Sequence, residues 1–86
     1  MIVRGLLYVK HQNVGTRSEG PAYFLQTTGG DLALAMNERA PWQPDYELEF
    51  YARAIVEVDG SMEGAQLKVH GIHRLNSTAI PAMKAA

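Results

Sequence analysis

The turn Thr28-Gly29-Gly30-Asp31 constrains the fold more than any other part of this sequence. Two adjacent glycines readily adopt the positive φ angles that a tight hairpin turn requires. The flanking runs Ala22–Thr27 and Leu32–Met36 both have the alternation of half-buried strands. A helix over Asp31–Arg39 is the competing interpretation, because Leu, Ala and Met favour helices. The turn chemistry favours the strand, so the pattern predicts a β-hairpin.

Three further segments have the character of strands. In the first, Ile2–Lys10, the interior Gly5 predicts a bend or a close approach of another backbone. Ala52–Val58 shows the strongest alternation of β-branched and polar side chains. The last strand, Gln66–Leu75, keeps its apolar residues on one face only if a bulge occurs at Gly71. The sequence therefore predicts five strands.

The connections between these strands differ in character. His11–Pro21 is polar and contains two glycines and a proline, which predicts a long loop. Asp45 has the chemistry of a helix N-cap and predicts a short helix that ends at Tyr51. Asp59–Gly64 begins and ends with turn residues and is interpreted as the last turn. The segment 76–86 is small and sparsely apolar, so we expect a disordered tail.

Composition restricts the class of protein. The chain has 86 residues, no cysteine, 8 basic and 9 acidic residues, and a formal net charge of −1. A chain of this length forms one domain, which we assign to residues 1–75. Without cysteine it has no disulfides and no cysteine zinc site. The sequence shows no signal peptide and no apolar run of membrane-spanning length, so we expect a cytoplasmic protein without membrane contact.

The order of elements resembles the OB-fold, an all-β, five-stranded Greek-key barrel with one short helix between strands 3 and 4. The resemblance is carried by Gly5, by the hairpin on either side of Gly30-Asp31, and by the two closing segments. These closing segments are Ala54–Gly60 and Leu67–Leu75, and the resemblance covers residues 1–75.

The resemblance implies a binding face rather than an active site. In OB-like barrels the ligand usually lies across strands 2 and 3, between the loops that join strands 1 to 2 and strands 4 to 5. On this chain those places are Tyr23–Met36, His11–Pro21 and Asp59–Gly64.

Five residues are candidates for ligand binding. Tyr8, Phe24 and Trp42 offer rings on which a base could stack, and Arg17 and Arg53 offer cations for a phosphate backbone. The alternation places Tyr8 and Phe24 on outer faces, but a register shifted by one residue would bury both rings. The rings could equally belong to the core or to a protein interface, and Trp42 could close one end of the barrel.

No catalytic residues, metal site or cofactor are predicted. His70 and His73 form an H-x-x-H pair, but positions i and i+3 of a regular strand point to opposite faces, so we interpret them as surface histidines. No serine lies in a G-x-S-x-G motif, and the glycines form no phosphate-binding loop. We therefore expect a protein that is not an enzyme.

The function expected from the sequence is that of a non-enzymatic binding or interaction module, with a protein partner or a second copy of the chain. Trp42 and the outward residues Leu6 and Ile55 would strengthen this expectation if they lay together. The alternative is binding of single-stranded nucleic acid through the face of strands 2 and 3, which the near-neutral charge does not favour.

Overall fold

A computed structural model describes residues 1–75. Its elements are β1 (Ile2–Gln12), β2 (Gly20–Thr27), β3 (Gly30–Ala35), α1 (Tyr46–Phe50), β4 (Ile55–Glu63) and β5 (Gln66–Arg74). The predicted all-β fold, with one short helix between strands 3 and 4, is confirmed. The competing helix after the Gly29-Gly30 turn is wrong, because this segment pairs with β2. The tail expected at 76–86 lies outside the described residues.

The five strands close into a barrel in the order β1-β2-β3-β5-β4. Strand β1 contributes to two ladders, since Ile2–Leu6 pairs with β4 and Leu6–Gln12 pairs with β2. Every pairing is antiparallel except that of β3 with β5, which is parallel and extends from Ala33–Gln66 to Ala35–Lys68. The order is compatible with an OB-like barrel.

Gly5 allows β1 to pass from one neighbouring strand to the other. A Cβ atom at this position would collide with the main-chain carbonyl oxygen of Gln26. The close backbone approach predicted for Gly5 is therefore confirmed. Because the obstacle is backbone rather than a flexible side chain, no small rearrangement would make room for a larger residue.

The last hairpin differs from its prediction. Strand β4 continues through Glu63, and the turn is confined to Gly64 and Ala65, so the predicted turn over Asp59–Gly64 is wrong. Gly60 lies within the ladder, where its hydrogen faces the carbonyl oxygen of Lys68. Gly60 thus allows β4 and β5 to approach each other closely, and it does not form a turn.

The predicted bulge lies one residue from its expected position. Asp59 pairs with Gly71, whereas the next residue, Gly60, pairs with Val69. His70 is therefore the extra residue of β5, and Gly71 follows it. The resulting shift of one residue changes which side chains of β5 point inward beyond this point.

The barrel interior is apolar and is closed at one end by α1. The buried side chains are Leu7, Tyr23, Leu25, Leu34, Leu48, Val56, Val58, Leu67 and Val69. Leu48 comes from α1, whose N-cap is Asp45 and whose C-cap is Tyr51, as the sequence predicted. Because Leu7 points inward, alternation directs Tyr8 outward, and this confirms the register predicted for β1.

Candidate binding surfaces

Tyr8 and Phe24 form a stacked pair on the outside of the barrel. They are directly opposite each other in the β1–β2 ladder, and their ring centroids lie 5.3 Å apart with an interplanar angle of 19°. The Tyr8 hydroxyl donates a hydrogen bond of 2.5 Å to Asp31 Oδ2 on β3. This hydrogen bond is the main reason why the pKa of Tyr8 is raised. The stacked pair is thus held by three adjacent strands.

Few charges surround the stacked pair. Lys10 is the next outward residue of β1, and Asp31 is already bound to Tyr8. On the far side of β3, Lys68 donates to the carbonyl oxygen of Met36 at 2.9 Å. This face therefore offers ring surface with little net positive charge.

The loop between β1 and β2 is organised by Glu19. One carboxylate oxygen lies 2.7 Å from His11 Nε2, and the other accepts a 2.7 Å hydrogen bond from the backbone N–H of Gly15. Both contacts favour the ionised carboxylate, with that to His11 the stronger, and they lower the pKa of Glu19. Arg17 is exposed at the tip of this loop and has no hydrogen bond or ion pair with any residue from 1 to 75.

A buried polar network fixes the segment that follows β3. Asp45 accepts hydrogen bonds from Asn37, through both its backbone N–H and its side-chain amide, at 3.0 Å. It also accepts from the backbone N–H groups of Glu47 and Leu48 at the start of α1. Burial alone would raise the pKa of Asp45, but these hydrogen bonds together outweigh it and the pKa is lowered.

Tyr23 connects this network to the barrel core. Its ring is buried, and its hydroxyl donates to Glu49 Oε2 at 2.5 Å while accepting from the backbone N–H of Asp45 at 2.9 Å. Burial, followed by the bond to Glu49, raises the pKa of Tyr23 to about 12. The Arg39 guanidinium lies 5.1 Å above the same ring and donates to the carbonyl oxygen of Pro21 at 3.0 Å.

These contacts hold the region from β3 to α1 against the barrel. The large aromatic side chains of this region nevertheless face solvent. Trp42, Tyr46 and Phe50 have exposed fractions of 65%, 79% and 69%. The interpretation of Trp42 as a plug at the barrel end is therefore wrong. Tyr46 and Phe50 lie one turn apart on α1, opposite the buried Leu48. We call Trp42, Tyr46 and Phe50 the aromatic surface.

A groove of about 520 Å³ runs beside the aromatic surface between α1 and β5. Its lining is Met36, Tyr46, Glu47, Phe50, Tyr51, His70, Gly71 and Ile72. The Arg74 guanidinium lies 5.5 Å from the centroid of Phe50 at the edge of this region. The groove is thus mainly aromatic and apolar, and both charge signs occur along it.

The five residues selected from the sequence do not form one site. Tyr8 and Phe24 lie together in the β1–β2 ladder. Arg17 and Trp42 lie near one end of this ladder, and Leu6 is at the other end. Arg53 lies between α1 and β4. Leu6 and Ile55 are direct cross-strand partners, but Trp42 instead lies against the backbone of Gly20. The patch of Leu6, Ile55 and Trp42 considered from the sequence is therefore not formed.

Sequence reasoning did not select Tyr46 and Phe50. The signal was present, because the predicted helix with Leu48 inward necessarily turns Tyr46 and Phe50 away from the core on the helical repeat. The groove, by contrast, lies between α1 and β5. No local pattern in the sequence indicates that these two elements are neighbours.

The histidines and acidic residues are dispersed. His70 lies 3.1 Å from Ser61 Oγ, and His73 lies 3.3 Å from Glu57 Oε2. Within residues 1–75, no three potential metal-ligating side chains come together. No helix in that same range is long and apolar enough to cross a bilayer.

Comparisons with protein-family models, with curated proteins and with solved structures found no match to this chain.

Proposed function

We propose that this chain is an OB-fold barrel that acts as a non-enzymatic interaction module and self-associates through the aromatic surface. The observation that carries the proposal is the exposure of Trp42, Tyr46 and Phe50 within nine residues of sequence. Large aromatic side chains are the usual anchors of protein interfaces. Tyr46 and Phe50 are neighbours one turn apart on α1, and exposed apolar patches commonly mark protein-interaction sites.

The three rings provide a substantial driving force for association. Fully burying a side chain the size of Phe stabilises by roughly 1.5–3 kcal/mol, so three rings supply about 5–9 kcal/mol. Association must first offset a loss of translational and rotational freedom of at least about 4 kcal/mol. The surplus is at most about 5 kcal/mol, which corresponds to a weak interaction with a Kd of roughly 0.2 mM or above.

The charges near the aromatic surface favour a second copy as the partner. Glu47 on α1 lines the groove together with Phe50, and the Arg74 guanidinium on β5 lies 5.5 Å from the centroid of the Phe50 ring. In a two-fold interface each surface meets an identical surface in reversed orientation, so a surface that carries both signs complements itself. A net charge of −1 adds little long-range repulsion between two copies.

Equilibrium sedimentation over a wide range of protein concentration tests the proposal. The mass should rise from the monomer value of 9.5 kDa towards twice that value. Phe50→Ser should shift the transition to at least tenfold higher concentration, because a central ring is lost. Met62→Ser, which removes another exposed apolar side chain on β4, is the matched control and should change little. A protein that stays at 9.5 kDa at every concentration refutes self-association.

A second candidate function is the binding of single-stranded nucleic acid on the face of β1, β2 and β3. It is supported by the stacked pair, since aromatic rings on such a face stack on bases with little dependence on sequence. An NMR titration with a mixed-sequence oligonucleotide should then shift amides around Tyr8 and Phe24, and added salt should reverse the shifts. Phe24→Ala should weaken binding, and an oligonucleotide that shifts no amide on this face eliminates the candidate.

A further inference from the structure

Arg53 has a backbone conformation that a residue with a side chain rarely adopts. Its φ angle is 66°, in the left-handed region that favours glycine. The conformation is held from two sides, because the Arg53 N–H donates to the carbonyl oxygen of Leu7 at 2.7 Å and the Ala54 N–H donates to that of Tyr51 at 3.0 Å. Glycine would meet the same backbone requirement without strain, yet the position carries a long cationic side chain.

The residues around Arg53 form a hollow of about 420 Å³ on the outside of the barrel. Its aliphatic lining includes Leu6, Ala54, Ile55 and Leu75, and its cationic residues are Arg53 and Arg74. We call this site the arginine hollow. Leu6 and Ile55 face each other across the β1–β4 ladder and form its floor. The volume lies within the range of about 300–1,000 Å³ that is usual for small-molecule sites.

The charge of the arginine hollow has one sign. No acidic side chain belongs to its lining. Arg53 makes no side-chain hydrogen bond or ion pair with any residue between 1 and 75. Arg74 donates one hydrogen bond of 3.3 Å to the carbonyl oxygen of Phe50, which occupies one of its five donors within that same range. Arg53 and Arg74 thus line the same hollow as the aliphatic floor.

We propose that the arginine hollow binds a small aliphatic carboxylate, with its chain on Leu6 and Ile55 and its carboxylate between Arg53 and Arg74. The guanidinium group matches a carboxylate in planar, two-point geometry. The lining contains no aromatic ring, so a nucleotide base would find no stacking partner there. A cationic ligand is disfavoured by both arginines.

A neighbouring depression allows for chains of different length. It shares Leu6 and Ile55 with the arginine hollow and continues over Gln26 and Thr27, with a volume of about 430 Å³. Arg4 lies in this depression but is already paired with Glu57 at 2.8 Å. The shared aliphatic floor therefore extends beyond Arg53 and Arg74, and an aliphatic chain can follow it.

An NMR titration of the full chain with sodium octanoate tests the proposal directly. Saturable shifts should appear at the amides of Leu6, Arg53 and Ile55. Octylammonium, which has the same chain and the opposite charge, should produce no saturable shifts there. Octanol, which keeps the chain without charge, should bind at least tenfold more weakly than octanoate, because charge-assisted hydrogen bonds are lost.

Substitution of Arg53 gives the decisive comparison. Arg53→Gly removes the guanidinium and relieves the backbone, so the fold should be at least as stable while octanoate binding weakens at least tenfold. Arg17→Gln removes one positive charge from the distant β1–β2 loop and should leave octanoate binding unchanged. Arg53 is chosen over Arg74 because Arg74 also contacts Phe50 of the aromatic surface. Loss of self-association and loss of octanoate binding therefore remain separate results.

Three results would overturn the proposal. Octanoate that binds Arg53→Gly as tightly as it binds the wild-type chain would show that Arg53 does not hold the carboxylate. Equal binding of octylammonium would show that only the chain is recognised. Shifts at Leu6, Arg53 and Ile55 with an oligothymidine but not with octanoate would assign the arginine hollow to phosphates. If Arg53→Gly lowers the melting temperature, Arg53→Asn, which also tolerates a positive φ, replaces it in the comparison.

Discussion

Tyr23→Phe should destabilise the barrel strongly although it removes a single oxygen atom. The substitution deletes the 2.5 Å hydrogen bond to Glu49 and leaves the buried backbone N–H of Asp45 without its acceptor. Loss of a hydrogen bond to a charged group costs about 1.5–3 kcal/mol, and an unsatisfied buried donor costs about 1–3 kcal/mol. Because Glu49 is exposed and regains water, we expect a total of about 2–4 kcal/mol.

Urea denaturation followed by circular dichroism measures this difference. Tyr46→Phe is the matched control, since Tyr46 is 79% exposed and its change should stay within about 0.5 kcal/mol. The loss in Tyr23→Phe corresponds to a fall of roughly 10–25 °C in Tm for a domain of this size. If the two variants unfold at the same urea concentration, the Tyr23 hydroxyl does not carry the energetic role assigned to it.

The same hydroxyl should give the protein an alkaline limit. The pKa of Tyr23 is about 12 in the folded state against 10.0 for an ordinary tyrosine. The unfolded chain therefore loses this proton first, and stability falls as the pH rises from about 10 to about 12. The expected loss is about 2–3 kcal/mol, from 1.36 kcal/mol for each pKa unit. Tyr23→Phe should flatten this part of the stability profile, and a profile that is equally steep in both proteins contradicts the assignment.

Three further predictions concern the core, the bend in β1 and the helix cap. Val56→Asp should abolish the folded circular dichroism signal, because an unpaired buried charge costs several kcal/mol against a total folding stability of roughly 5 kcal/mol. An unchanged Tm would mean that Val56 is not in the core. Gly5→Ala should lower Tm far more than Gly71→Ala, since only the first added methyl group meets backbone, and equal shifts would contradict the close approach. The lowered pKa of Asp45 should make stability fall below about pH 4, as the folded state resists protonation more than the unfolded chain. Asp45→Asn should weaken this acid dependence, and an unaltered acid profile would exclude Asp45 as its source.

The elements that could be predicted from the sequence are those that local chemistry specifies. Two glycines specified the hairpin, a carboxylate before an acidic turn specified the helix start at Asp45, and alternation directed Val56 inward. Each of these decisions involves residues within a few positions of one another. They were sufficient for the all-β class and for the order of the elements.

The parts that could not be predicted depend on partners distant in the sequence. In the sequence, Gly60 has the character of a turn residue. Its actual role depends on the carbonyl oxygen of Lys68, which lies opposite it in the ladder. The contact of Tyr8 with Phe24 depends on the register across the long β1–β2 loop, which has no turn signal to set it. The positive φ of Arg53 results from its bond to Leu7 in β1, and nothing beside Arg53 in the sequence indicates that bond.

The parallel ladder between β3 and β5 has a consequence for how the barrel opens. It comprises only the pairs from Ala33–Gln66 to Ala35–Lys68, whereas seven pairs join β1 to β2. Parallel pairing is also slightly weaker for each residue, and its partners here are far apart along the chain. Transient separation should therefore begin at this ladder, and native-state hydrogen exchange should be fastest there among the strands. Each separation of β3 from β5 exposes two strand edges at once. Two copies of the chain would therefore exchange strands at this ladder.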